Sequence, residues 1–185
     1  MPKGASGTEK VSRALGGYPD PGAHNFTLAD RETMAIAARV AEKAVKDFPG
    51  LKGSPYANME DIMQADFKDK GTLAYYERGT KNIVIGNHVP TAKKEYTVAH
   101  EIGHAVTVYK QPGFRSADVT VKNAYTLYKS KHPYSTISEK QFVGRISPYA
   151  TKNVYETVAE AFADFSVNRG KAKEESMLVL EAWVN

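Results

Sequence analysis

Nine residues, Val98-Ala99-His100-Glu101-Ile102-Gly103-His104-Ala105-Val106, decide how the rest of this chain is read. They contain the pattern H-E-x-x-H, and they fall in a stretch from about Thr91 to Lys110 that reads as one helix. Pro90 precedes that stretch and Pro112-Gly113 ends it. On a helix, residues four apart share a face one turn apart. His100 and His104 can therefore aim two imidazole nitrogens at a single point, at the ~2.0–2.1 Å that zinc prefers. Glu101 sits ~100° round from His100, within reach of a water at such a metal without ligating it itself. Ile102 and Val106 face the core, and Gly103 lets a second element approach the backbone closely. The competing reading is a helix with two core histidines. With five histidines in 185 residues, the pattern arises by chance in roughly one chain in a hundred, which favours the metal.

Two histidines do not complete a catalytic zinc site, which takes three protein ligands and an open position. There are no cysteines, so thiolate ligands, disulfides and a cysteine nucleophile are all excluded. The third ligand must be a carboxylate. Candidates lie in a helix expected from about Asn153 to Asn168, with Gly170 just past its end. Glu156, Glu160 and Asp164 are spaced by four and form an acidic stripe among Ala159, Ala161 and Ala163, small residues that permit close packing. Spacing leaves two registers: Glu156 as ligand with Glu160 behind it, or Glu160 with Asp164 behind it. In each, the second carboxylate orients a histidine through its other ring nitrogen. Glu156 also stands at capping-box spacing from Asn153, which needs no metal.

The histidine motif, taken with Tyr149-x6-Glu156-x3-Glu160-Ala161-Phe162, resembles the catalytic domain of the anthrax lethal factor family of zinc metallopeptidases. The Pro-Pro endopeptidases share its general design. The resemblance spans about residues 70–170 and is concentrated in the two motifs. It implies a zincin-like peptidase of the gluzincin type, with Glu156 as third zinc ligand, Glu160 as supporting carboxylate and Tyr149 as partner of the oxyanion. Asn153 falls where the family commonly has asparagine. The chemistry implied is zinc acting as Lewis acid on a scissile carbonyl and activating water. Glu101 takes the water proton and returns it to the leaving amine. A tyrosine donor to the oxyanion is worth about 2.7–4 kcal/mol by comparison with other single donors. Domains of this kind occur in toxins and in phage-borne proteins, so an injected effector or a virion-associated peptidase is the implied setting.

Outward from the motif, Asp30 is a helix N-cap, and Met34, Ala37, Ala38, Ala41, Ala44, Val45 and Phe48 form an apolar stripe stopped by Pro49-Gly50. Thr72–Glu77 and Asn82–Gly86 read as a hairpin around a turn containing Gly79. Strand 82–86 is expected at the sheet edge, where an extended peptide pairs, with His88 just beyond it. A basic helix is expected from about Asp118 to Ser130 and a last one from about Lys171 to Trp183. The order predicts an α+β fold, mostly helical, with a small antiparallel sheet above the motif helix. Residues 1–29, rich in glycine and proline, read as a leader or linker, and 30–185 as the domain.

Composition narrows the alternatives. At 42% hydrophobic and 25% charged, the chain is of ordinary globular type. No apolar run reaches the ~20 residues of a membrane helix, and Met1–Gly7 lacks the apolar stretch of a secretory signal. The net charge of +4 is concentrated between Lys110 and Arg145, where Phe114, Tyr125, Tyr128 and Tyr134 are interleaved. That segment reads as a solvated helix face rather than a nucleic-acid surface. The expected partner is therefore a protein or peptide in extended conformation, acted on by a monomer. The alternative is a non-catalytic zinc module of a phage or mobile-element structural protein, in which Glu101 has no purpose. Compartment is not legible: cytoplasmic and exported settings both fit.

Overall fold

The computed structural model describes residues 21–53, 59–108 and 112–184. Asp30 caps the first helix, α1 (Arg31–Asp47), by accepting the Thr33 backbone N–H at 2.8 Å. Its buried face is Thr33, Ile36, Ala37, Val40 and Ala44, turned from the expected stripe, of which Ala37, Ala44 and Phe48 are buried while Met34, Ala41 and Val45 are half-buried and Ala38 is exposed. The chain leaves α1 through Phe48, whose N–H still bonds Ala44, and a short 3₁₀ turn at Pro49–Leu51. The expected stop at Pro49-Gly50 therefore falls where the helix ends.

The sheet is richer than a hairpin. Its strands are β1 (His24–Leu28), β2 (Met63–Asp66), β3 (Ala74–Glu77) and β4 (Asn82–Gly86), in the order β1-β2-β4-β3. The hairpin β3–β4 is antiparallel with Tyr76 opposite Ile83. Its turn takes the left-handed conformation at Lys81 (φ 62°) rather than at Gly79. Two expectations change. The sheet is mixed, because β2 pairs parallel to β4, with Met63 opposite Val84. Strand 82–86 is also not an edge: β4 lies between β2 and β3, and β3 is the end strand on that side. The burial of Ile83, Val84 and Ile85 follows from this central place. At the other end, β1 pairs antiparallel with β2 through a bulge between His24 and Thr27, where Asn25 has φ 55°. Residues 24–28, grouped by composition with the leader, thus belong to the sheet.

Five helices follow: α2 (Thr91–Val108), α3 (Ala117–Lys131), α4 (Glu139–Ile146), α5 (Val154–Asn168) and α6 (Glu174–Trp183). α2, α3, α5 and α6 lie where expected, within three residues at each described end. α4 was not anticipated. It is eight residues long, opened by a capping box in which Ser138 and Gln141 serve each other's backbone, and it buries Phe142, Val143 and Ile146. Among the described residues the domain is a mixed α+β fold of six helices and one four-stranded sheet.

α2 and α5 form the centre. Val98, Ile102, Val158 and Phe162 are completely buried within the main core. Close approach rests on Gly103: a Cβ there would lie 2.9 Å from Ala159 Cα, well inside contact distance. α6 closes the core with Trp183, its ring 5.3 Å from Phe48 and 4.3 Å from Phe114. Arg115 then holds the end of α6 by donating to the carbonyls of Ala182 and Val184. Every helix carrying a motif residue is therefore braced on the side away from solvent.

Candidate metal centre

α2 turns His100 and His104 to one side, and their rings meet edge to face with centroids 4.6 Å apart. α5 answers with Glu156 from its first turn. Asn153 caps α5 by accepting the Glu156 N–H at 2.9 Å, so this residue's backbone is held while its side chain points to α2. Glu156 Oε2 lies 3.1 Å from His100 Nε2 and 3.2 Å from His104 Nε2. All three residues are buried, and their ligand-type atoms lie within 4.8 Å of one another. Ligands ~2.0–2.1 Å from a tetrahedral ion stand about 3.3 Å apart, so these separations suit one small cation.

The bonding deficit points the same way. Glu156 Oε2 is buried and makes no hydrogen bond, although two ring nitrogens stand beside it. A buried carboxylate oxygen that forms no hydrogen bond costs roughly 1–3 kcal/mol unless positive charge, on a ring or on an ion, lies beside it. A cation among the three atoms removes that cost. The charges agree. Burial alone would lower the pKa of His100, but Glu156 and Glu160 outweigh it and hold the ring at about 10. Burial would raise that of Glu156, and the two histidines outweigh it, keeping the carboxyl well below the usual range. The site is built to hold positive charge.

Glu160, one turn along α5, places Oε1 2.7 Å from His100 Nδ1. Its other oxygen accepts the Tyr96 hydroxyl at 2.9 Å. Burial raises Tyr96 above its ordinary pKa, and the negative Glu160 adds to the rise, so Tyr96 stays a donor. Asp164 lies apart from this group. It accepts from Asn168 Nδ2 at 2.8 Å and from the Lys173 N–H at 2.9 Å, joining α5 to α6. The register pairing Glu160 with Asp164 at a metal is therefore not the one the side chains adopt.

Glu101 is buried, with its pKa raised chiefly by burial and partly restrained by the two histidines. It opens onto a cleft of about 490 Å³, shared with Tyr96, His100, Tyr149, Lys152 and Glu160 and closed on the sheet side by residues between Asp69 and Ala74. Tyr149 stands in a 3₁₀ turn (Tyr149–Thr151), 39% exposed, its ring edge-on to His100 at 5.8 Å. His88 does not line the cleft. Its Nε2 lies 3.1 Å from the Lys70 carbonyl and its ring packs on Phe67. His24 and His132 are elsewhere, the latter paired with Glu174 at the surface.

The sequence reading missed Tyr96, although its signal was present: Tyr96, His100 and His104 repeat at four-residue spacing, one face of α2. It also missed Lys152 and the 69–74 stretch, which reach the cleft only through the fold.

A mixed α+β domain with a buried His-His-Glu group able to hold a metal beside an open cleft is the form of a small metallopeptidase-like domain. Residues 60–131 match the peptidase M78 family model, the IrrE N-terminal-like domain, a zinc metallopeptidase-like family with H-E-x-x-H. The match takes in His100, Glu101 and His104 and stops before Glu156, covering under half of the chain. No curated protein and no solved structure matches it.

Proposed function

We propose that this chain is a zinc-dependent endopeptidase acting on extended polypeptide. His100, His104 and Glu156 hold the zinc, and Glu160, itself held by Tyr96, orients His100. The observation that carries the reading is the buried trio of ligand atoms around Glu156 Oε2, of which His100 lines a cleft shared with Glu101 and Tyr149. The two-motif likeness to the lethal factor family supports the same roles, and so does the M78 match over the histidine helix.

Zinc bound there supplies Lewis acidity toward a carbonyl and lowers the pKa of an attacking water toward ~7. Glu101, buried at the cleft beside His100, accepts the water proton and passes it to the departing amine. Tyr149 donates its phenol to the developing oxyanion. A peptide lies along the end strand β3, whose first residue, Ala74, lines the cleft. The lethal factor resemblance implies a toxin or phage setting for this activity.

The test pairs metal analysis with cleavage of a peptide library. The reading expects one zinc per chain, chelator-sensitive cleavage, and a Glu101→Gln variant that keeps its zinc but loses hydrolysis. Absence of zinc overturns the site. Hydrolysis undiminished in Glu101→Gln overturns the mechanism. Stoichiometric zinc with an inert wild type would favour the non-catalytic module.

A further inference from the structure

Tyr149 is a demanding residue for the role assigned to it. It rises from a single 3₁₀ turn and is 39% exposed, so core packing does not lock its ring. An exposed aromatic on such a turn exchanges rotamers on a picosecond-to-nanosecond scale, and a phenol is useful only in the one that points into the cleft. The ring stands edge to face with His100. A face of the ring carries Lys152, three residues on, whose Nζ sits 3.8 Å from the ring centroid. The two residues lie at opposite ends of the same turn, and the Lys152 N–H closes it by bonding the Tyr149 carbonyl at 3.1 Å. Both line the cleft.

Resting on the peptidase reading above, we propose that Lys152 is a positioning residue: its ammonium, stacked on the face of Tyr149, holds the phenol aimed into the cleft. An ammonium over a tyrosine face is attracted by the ring quadrupole, and at an exposed site this shifts a rotamer equilibrium about two- to five-fold. Lys152 is four residues before Glu156 in sequence, but it acts on the cleft through the ring and does not join the metal ligands.

The experiment has two arms on the full chain loaded with zinc. In the first, 3-fluorotyrosine is incorporated and the Tyr149 resonance is identified by its loss in Tyr149→Phe. Lys152→Met should shift or broaden that resonance while the other tyrosine signals stay in place, and Lys152→Arg should restore it. This arm requires no hydrolysis, so it decides the proposal even if the chain cleaves nothing, which would refute only the peptidase reading. In the second arm, Lys152→Met should lower kcat about two- to five-fold with KM unchanged, and Lys152→Arg should recover it. In the Tyr149→Phe background, where no phenol remains to be aimed, Lys152→Met should have no further effect on kcat. An unmoved Tyr149 resonance overturns the proposal. So does a rise in KM at constant kcat, which would make Lys152 a substrate contact, or additive losses in the double variant.

Discussion

Replacing Gly103 by alanine tests the packing that brings the two halves of the centre together. The added Cβ would lie 2.9 Å from Ala159 Cα, 3.1 Å from Ala159 O and 3.2 Å from Phe162 Cβ. All three atoms belong to the backbone or the first side-chain atom of α5, so no rotamer change relieves them. Carbon atoms settle at about 3.5–4.0 Å, so α5 must retreat locally by roughly half an ångström or more. Overpacking of this kind costs about 1–3 kcal/mol, and alanine returns about 1 kcal/mol of helix propensity. The net loss reaches about 2 kcal/mol, or a fall of up to about 8 °C in Tm for a chain of this size. Gly144 is the control, since it too is inside a helix and its Cβ would meet only Thr151 Cγ2, at 3.4 Å. Gly144→Ala should leave Tm unchanged or raise it. Because Glu156 lies one turn before Ala159, the retreat also widens separations now at 3.1 and 3.2 Å, and metal sites tolerate about 0.2 Å. Zinc affinity, measured by chelator competition, should fall about tenfold or more in Gly103→Ala alone. Equal upward shifts of Tm in both variants would refute the packing argument. A lower Tm with unchanged zinc affinity would refute the transmission to Glu156.

Glu160→Gln should weaken zinc binding about 10–100-fold in the same competition assay, the usual effect of removing a carboxylate that orients a ligating histidine. Tyr96→Phe should give a smaller loss in the same direction, because it removes one of the hydrogen bonds holding Glu160. Zinc supplied at 1,000 times its Kd should stabilise the fold by about 4.1 kcal/mol, raising Tm by roughly 8–16 °C over chelated protein; an unchanged melt would argue against metal in the folded chain. Asp164 sets an acid limit. Burial would raise its pKa, but Ser176, Asn168 and the Lys173 N–H beside it outweigh this and lower it from 3.8. Its stabilisation is therefore complete above pH 3.8 and is lost as the pH falls through the lowered folded value. Urea melts from pH 6 to pH 2 should show that loss, and Asp164→Asn should flatten it.

Much of the centre could be read along one helix at a time. The i, i+4 spacing of His100 and His104 and the placement of Glu101 need only a helix, and Pro90 and Pro112-Gly113 bracket one. Caps are equally local, which is why α1 and α5 begin at Asp30 and Asn153 as expected. α4 carried the same kind of signal in Ser138 and Gln141, but two turns are too few for a periodic stripe to stand out. β1 and β2 were missed for a different reason. Met63-Gln64-Ala65-Asp66 has no β-branched residue, and it becomes a strand because β4 pairs with it in parallel and β1 closes its other side.

The sequence by itself therefore determined the face of α2 shared by His100 and His104, the acidic stripe of α5 and the α+β class, since each depends on residues within a turn or two of one another. Which carboxylate meets the histidines was beyond it. Glu156 and Glu160 differ by one helical turn, and a periodic stripe reads the same after a shift of one turn. Tertiary structure decides the register: Ala159 seats against Gly103, which sets Glu156 opposite both Nε2 atoms and Glu160 opposite His100 Nδ1. The same non-local packing moved strand 82–86 to the middle of the sheet, left β3 at its end, and brought the turn carrying Tyr149 and Lys152 to the rim of the cleft.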